Sequence, residues 1–295
     1  MENYSSDKIK KKLENLTIWK GNIDVKVLTG GLTNDTYLIT DDKKKYVAKI
    51  GDDKIDFGII RSQEIIAHKA AYQADISPEV IYYKNEITVY EYLNSIILTH
   101  KEIREEKNLS KLVYLIKIIH NKVFNNLKNL NLFLDIFQMI NHKVQALRKY
   151  KSLYIDLINE LVDDCKIFRN ESNSGKIVFT HNDFYHANLL YDGKKFWLID
   201  WEYAGFNTDV LDLANLSKNN QLIEDEENYI LEKYFGSSLN LKLIKIFQAM
   251  KCTSLANEVL WYMLAEIKSK KNFDYKSVTK EKLDRFIIEK QKFFK

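Results

Sequence analysis

The apolar residues in the first third of the chain fall in short runs broken by polar turns. Residues 24–28, 36–40, 46–50 and 87–92 are β-branched or aromatic stretches bounded by turn formers, the pattern of strands. Gly30-Gly31 separates the first from the second, and Asp41-Asp42-Lys43 makes a polar hairpin turn between the second and the third. Between the third and the last, residues 59–73 place apolar side chains at helical spacing, and Ser77-Pro78 closes that segment. The predicted order is three strands, a helix, then more strands.

After Leu93 the apolar period lengthens. Residues 109–122, 130–150, 153–169, 223–235, 241–270 and 279–294 read as helices. One compact stretch interrupts them, with short strands at 177–180, 189–191 and 196–199 carrying polar loops. The predicted boundary lies near Asn94-Ser95, giving a strand-rich unit over 1–94 and a mainly helical unit over 95–295. The apolar runs 113–119 and 259–267 are interrupted or flanked by charge, and a membrane span needs about 18 apolar residues. No membrane insertion is expected.

Composition narrows the partners. The 295 residues suffice for a sizeable core, with 45% apolar and 29% charged side chains. The 45 basic and 41 acidic residues nearly balance at a net charge of +4, which argues neither for nor against nucleic acid; no nucleic-acid partner is expected. Cys165 and Cys252 lack companions at metal-ligand spacing and read as buried, reduced thiols of a cytoplasmic protein. Residues 1–12 are polar and lysine-rich, without the apolar core of a signal peptide.

The strongest chemical signal is His181-Asn182-Asp183-Phe184-Tyr185-His186-Ala187-Asn188, followed by Leu198-Ile199-Asp200. Asp183 and Asn188 stand in the D-x-x-x-x-N relation of a kinase catalytic loop, and Asp200 follows an apolar strand. Phosphoryl transfer needs a hard cation on the phosphate oxygens and an acceptor hydroxyl aligned for in-line attack. Asn188 and Asp200 offer the oxygen ligands that Mg²⁺ takes, and Asp183 can accept the hydroxyl proton. Each residue alone fits an ordinary hydrogen-bonded turn; the ordered set of three points to chemistry.

The strand-rich unit holds matching parts. Tyr46-Val47-Ala48-Lys49-Ile50 is an apolar strand with one lysine, suited to ATP phosphates. Glu64, in Arg61-Ser62-Gln63-Glu64 of the following helix, can pair with Lys49 and aim it. The loop Leu28-Thr29-Gly30-Gly31-Leu32-Thr33-Asn34 lets backbone N–H groups approach a phosphate, which makes Gly30, Gly31, Thr33 and Asn34 candidates. Glu91 and Tyr92 sit where a hinge would meet adenine, a role assigned by position.

At these residues the chain resembles the choline/ethanolamine kinases, closest to their bacterial phosphocholine-decorating type, within the aminoglycoside-phosphotransferase superfamily. The likeness rests on LTGGLTN (28–34), HNDFYHAN (181–188) and LIDWEYAGFNTDVLDLAN (198–215). It implies an α+β, protein-kinase-like, two-lobed fold. A small antiparallel-sheet nucleotide-binding lobe over 1–94 is expected to precede a larger, mainly helical catalytic and substrate-binding lobe over 95–295. It implies ATP as co-substrate, Mg²⁺ on Asn188 and Asp200, and Asp183 as base. His181 and Asp212 take structural roles, with Asp212 bracing the catalytic loop. Glu202 and Tyr203 border the pocket for a small amino alcohol, in a monomer or homodimer.

Choline is the expected substrate. Its quaternary ammonium donates no hydrogen bond and needs aromatic faces and negative charge, with cation–π contacts of about 0.5–2 kcal/mol each. Tyr185, Trp201, Tyr203, Trp261 and Tyr262 are available faces, with Glu202 and Glu258 as counter-charges. Two positions depart from the family pattern. Glu258 stands where the first tryptophan of a W-x-x-W pair is common, Trp261 keeping the second, and Asn219 lies near an expected glutamate. Ethanolamine, thiamine, an aminoglycoside and methylthioribose are the alternative acceptors, and a non-catalytic pseudokinase is the alternative of another class.

Overall fold

The computed structural model describes residues 6–28, 34–128, 135–173, 175–236 and 238–295. The chain divides into two compact units, Met1–Asp53 with Pro78–Asn94, and Lys54–Ser77 with Ser95–Lys295.

The first unit is built on one antiparallel sheet. Its strands β1 (Ile23–Leu28), β2 (Asp35–Asp41), β3 (Lys44–Ile50), β4 (Val80–Lys84) and β5 (Ile87–Glu91) lie in the order β1-β2-β3-β5-β4. Alternation along the strands turns Tyr37 and Ile39, Ala48 and Ile50, and Ile87 and Val89 into one buried cluster. Ile9 and Leu13 complete it from a helix at Ser6–Glu14. That helix escapes the sequence pattern because only these two apolar positions, four residues apart, mark its buried face among lysines. Strand β4 also escapes it, being an edge strand with a register shift between Val80 and Tyr82. The hairpin turn falls at the polar residues as expected, with Asp42 in the left-handed region.

The second unit is mainly helical. Helix Leu241–Lys268 packs against helices Ile136–Lys149, Ile155–Ser172, Leu211–Asn220 and Tyr275–Phe293. Strands β6 (Ile96–Ile97), β8 (Leu189–Tyr191) and β9 (Phe196–Leu198) make one small sheet, and β7 (Ile177–Thr180) pairs antiparallel with β10 (Gly205–Thr208). The expected helix over 109–122 is Glu106–Ile118 continued by a π-helical turn, Ile119–Val123. The expected helix over 130–150 is Ile136–Lys149, and residues 129–134 lie outside the described set. Helix Leu211–Asn220 has no amphipathic signature because it is buried nearly all round.

Among the described residues, no helix is long and apolar enough to cross a membrane. Cys165 and Cys252 are free and buried, and burial pushes both thiols up to about 12. Leu13→Ala, which empties a fully buried position in the first unit, should lower stability by about 2–5 kcal/mol, read as a drop in the denaturant midpoint.

Candidate active site

The second unit gathers Asp183, Asn188 and Asp200 around two turns. Strand β7 ends at Thr180, and the chain enters His181–Asn182 just as β10 begins opposite, with Gly205 paired to Thr180. Asn182 and Asp200 both hold a left-handed backbone, at φ 70° and 67°. Asn and Asp tolerate that region better than most residues, at a cost of about 1–3 kcal/mol where the surroundings hold it. For Asn182 those surroundings are visible. Its backbone N–H donates to Asp212, its side-chain amide donates to the Tyr203 carbonyl, and its oxygen accepts from Asn207.

Asp212 is the brace of this loop. Its fully buried carboxylate accepts from the backbone N–H groups of His181 (3.0 Å) and Asn182 (2.8 Å) and from His120 Nε2 (3.1 Å). It stands in the first turn of helix Leu211–Asn220, where the helix dipole favours a carboxylate. The same helix reaches the loop again from its last turn. Asn219 donates to Asp183 Oδ1 (3.4 Å), and Asn220 donates to the Phe184 carbonyl (3.0 Å). His120, which has no motif around it in sequence, comes from the π-helical turn, and its Nδ1 meets the Tyr234 hydroxyl at 2.7 Å.

His181 is a neutral spacer. Its Nδ1 accepts from the Asp183 N–H and its Nε2 donates to the Ile199 carbonyl, which sets the tautomer. Burial holds its pKa down to about 4 against the pull of Asp212. Trp201 stacks edge-on over His181 at 4.7 Å, donates to Ser77 Oγ and is almost fully buried. It is therefore a core residue and is removed from the set of available aromatic faces.

Asn188 donates both to the Asp183 carbonyl (3.1 Å) and to Asp183 Oδ2 (2.9 Å). With the amide nitrogen engaged there, its oxygen is the atom a hard cation would take, alongside the Asp200 carboxylate. Among the described residues no three His, Cys, Asp or Glu side chains form a metal cage. Asp183 itself is pushed up to about 7, first by desolvation and then by Asp200, Glu202 and Glu258, with Lys218 opposing.

The substrate-side candidates separate into two groups. Trp261 Nε1 donates to the Tyr203 hydroxyl at 2.8 Å, which locks those two aromatic side chains together, and Phe57 lies 5.4 Å from Trp261. Lys143 is fully buried behind them, bonded to Asn257 and 5.9 Å from the Tyr203 ring; burial lowers its ammonium to about 7. Tyr185 is more exposed and packs edge-on to His186. Glu258 belongs to a different arrangement, since its oxygens are held by Lys218 (2.9 Å) and Lys282 (3.2 Å). Burial pulls its carboxyl upward, but the two ammoniums outweigh it and hold it at about 2. Two ammoniums on one carboxylate leave that group with net positive charge, so Glu258 is not an open counter-charge, whereas the single Arg61 is shared by two carboxylates. Glu202 is buried and accepts from Arg61, as does Glu64.

The remaining candidates lie in the first unit. Lys49 is on β3, across from Thr36 and Thr88. Glu91 closes β5 with its N–H on the Glu79 carbonyl, and Lys45 lies 5.4 Å from the Tyr92 ring. Asn34 is buried, and Gly30, Gly31 and Thr33 lie outside the described residues. Sequence reasoning missed Arg61, His120, Lys143 and Lys218 as contributors, and it flagged Asn219 only as a departure from the family pattern. Of the four missed, Arg61 left a trace, standing three residues before Glu64 on one helix face.

Comparison with known proteins gives this geometry a context. The family model described as choline/ethanolamine kinase matches residues 25–287. The protein LicA of Haemophilus influenzae is 23% identical over 266 residues, spanning 86% of this chain and 76% of its own. The crystal structure of the choline kinase LicA from Streptococcus pneumoniae matches with a TM-score of 0.78 at 20% identity, covering 96% of this chain and 98% of the other. A crystal structure of LicA in complex with AMP matches with a TM-score of 0.71 at 19% identity, covering 97% of both chains. The fold is thus the protein-kinase-like one, with a small antiparallel sheet and a mainly helical remainder.

The Lys218–Glu258–Lys282 group generates a pH signature of its own. The folded carboxyl lies below the unfolded value of about 4.3, so the group stabilises above that pH and loses the effect as pH falls toward 2. Glu258→Gln should cost on the order of 3 kcal/mol near neutrality. The gap from wild type should close on acidification, as measured by urea unfolding across pH.

Proposed function

The chain belongs to the choline/ethanolamine kinase family, and from that membership we propose that it transfers a phosphoryl group from ATP to the hydroxyl of choline, giving phosphocholine. The family makes it a phosphotransferase with an alcohol as acceptor; ATP, Mg²⁺ and choline are the finer parts of the proposal. The observation that carries it is the Asp183–Asn188 hydrogen bond beside Asp200, on a loop fixed by Asp212.

In this reading Asn188 and Asp200 would hold Mg²⁺, which would supply charge neutralisation on the transferring phosphates. Asn188 also fixes the Asp183 carboxylate, so one Asp183 oxygen is oriented by an amide and the other meets the weaker Asn219 contact. Asp183 accepts a hydrogen bond from the choline hydroxyl, aligns it for in-line attack and takes its proton as the bond to phosphorus forms. Lys49 is assigned to the phosphates and Glu64 to its support. The Tyr203–Trp261 pair offers aromatic surface for the trimethylammonium, with Glu202 as counter-charge. Two buried free thiols fit a cytoplasmic enzyme.

A coupled assay with choline, ethanolamine, thiamine, methylthioribose and an aminoglycoside tests the substrate. Choline should have the highest kcat/KM, and turnover confined to a sugar acceptor would refute the choice. Asp183→Asn should lower kcat by about 10²–10⁴-fold while Mg·ATP binding persists, as followed by calorimetry. Because burial raises Asp183 to about 7 and the base must be ionised, kcat/KM should fall as pH drops through neutrality. A flat acidic profile would remove Asp183 as the base.

A further inference from the structure

Arg61 opens the helix Arg61–Gln73 and is the first charged residue of its first turn. A cation there opposes the helix dipole, which favours acids at an N-terminus. Its burial makes the placement costlier still, since an unpaired buried guanidinium is strongly disfavoured. Both costs are offset by carboxylates. Arg61 Nη1 donates to Glu64 Oε2 at 2.5 Å and to Glu202 Oε2 at 2.9 Å. The three side chains are only 7%, 2% and 3% exposed. Glu64 is three residues along the same helix, whereas Glu202 is 141 residues away, between Trp201 in the core and Tyr203 at the aromatic pair.

We propose that Arg61 is a positioning residue for recognition of the cationic head of the amino alcohol, acting by fixing Glu202 in place without touching the substrate. The inference rests on the reading of Glu202 as that head's counter-charge. A carboxylate attracts a quaternary ammonium through charge and distance alone, since no hydrogen bond can guide it. Its location therefore has to be set from the protein side. The planar guanidinium does this from a rigid helix, and it holds Glu64 with the same nitrogen. The position of Glu202 is in this way tied to that of the helix carrying Glu64.

The test compares choline with its uncharged isostere, in which carbon replaces the ammonium nitrogen. Arg61→Lys keeps a buried charge but loses the planar fork. It should raise KM for choline roughly tenfold with kcat nearly unchanged, while KM for the isostere stays put. Glu202→Gln should behave alike, and the double variant should be no worse than Glu202→Gln alone. Arg61→Gln serves as a second variant if Arg61→Lys does not fold. Equal shifts for both acceptors, additive double-variant effects, or failure of both Arg61 variants to fold would assign Arg61 to the fold and overturn the proposal. If wild type turns over ethanolamine in place of choline, the same comparison runs with ethanolamine and its neutral analogue. Wild-type protein that phosphorylates no amino alcohol rejects the functional reading first. Normal wild-type turnover with unaltered Arg61→Lys kinetics rejects only this inference.

Discussion

One buried carboxylate organises the second unit. Asp212 receives two consecutive backbone N–H groups of the loop and the ring of His120, and it does so from the first turn of a buried helix. A carboxylate removed from water stays ionised only when donors surround it. The three donors therefore have little freedom to move, and the left-handed turn at Asn182 is held with them. The last turn of the same helix then supplies Asn219 and Asn220 to the next residues of the loop. Ten residues of helix thus grip the catalytic segment at both ends.

Around this brace the charges are sorted by their partners. Burial, with Asp200, Glu202 and Glu258 nearby, raises the proton affinity of Asp183 against the pull of Lys218, whereas Glu258 sits between two ammoniums, which lower it. Nearby carboxyls with opposite shifts can take different roles: one poised to accept a proton near neutrality, one permanently charged and structural. The two departures from the family pattern also turn out to be neighbours. Asn219 contacts Asp183, and the adjacent Lys218 engages Glu258. A single helical turn therefore carries both the Asn219 contact to Asp183 and the Lys218 partner of Glu258.

The aromatic side chains show why residue type alone misleads. Trp201 and Trp261 are equally plausible faces in sequence. Trp201 follows a strand whose last carbonyl, that of Leu198, and the Ser77 hydroxyl accept from its indole N–H, and it is drawn into the core. Trp261 lies on a helix with apolar residues all round, yet its indole N–H finds the Tyr203 hydroxyl and the side chain stays partly open. The difference lies in which polar atom each N–H can reach, which no local pattern encodes.

The sequence by itself determined the strand-rich start, most of the helices, and the grouping of Asp183, Asn188 and Asp200. These are readable because strand and helix periods are local, and because a catalytic loop places its donors within a few residues of one another. Helix Leu211–Asn220 and strand β10 were not readable, since burial on all sides erases the alternation that marks an element. Only the tertiary structure decided the partners of the charged groups. His120 reaches Asp212 across 92 residues, Arg61 reaches Glu202 across 141, and Lys218 reaches Glu258 across 40. A charge in a chain can pair with any opposite charge the fold brings near. The fold, by burying these groups, made each pairing compulsory, because a buried charge without its partner is strongly disfavoured.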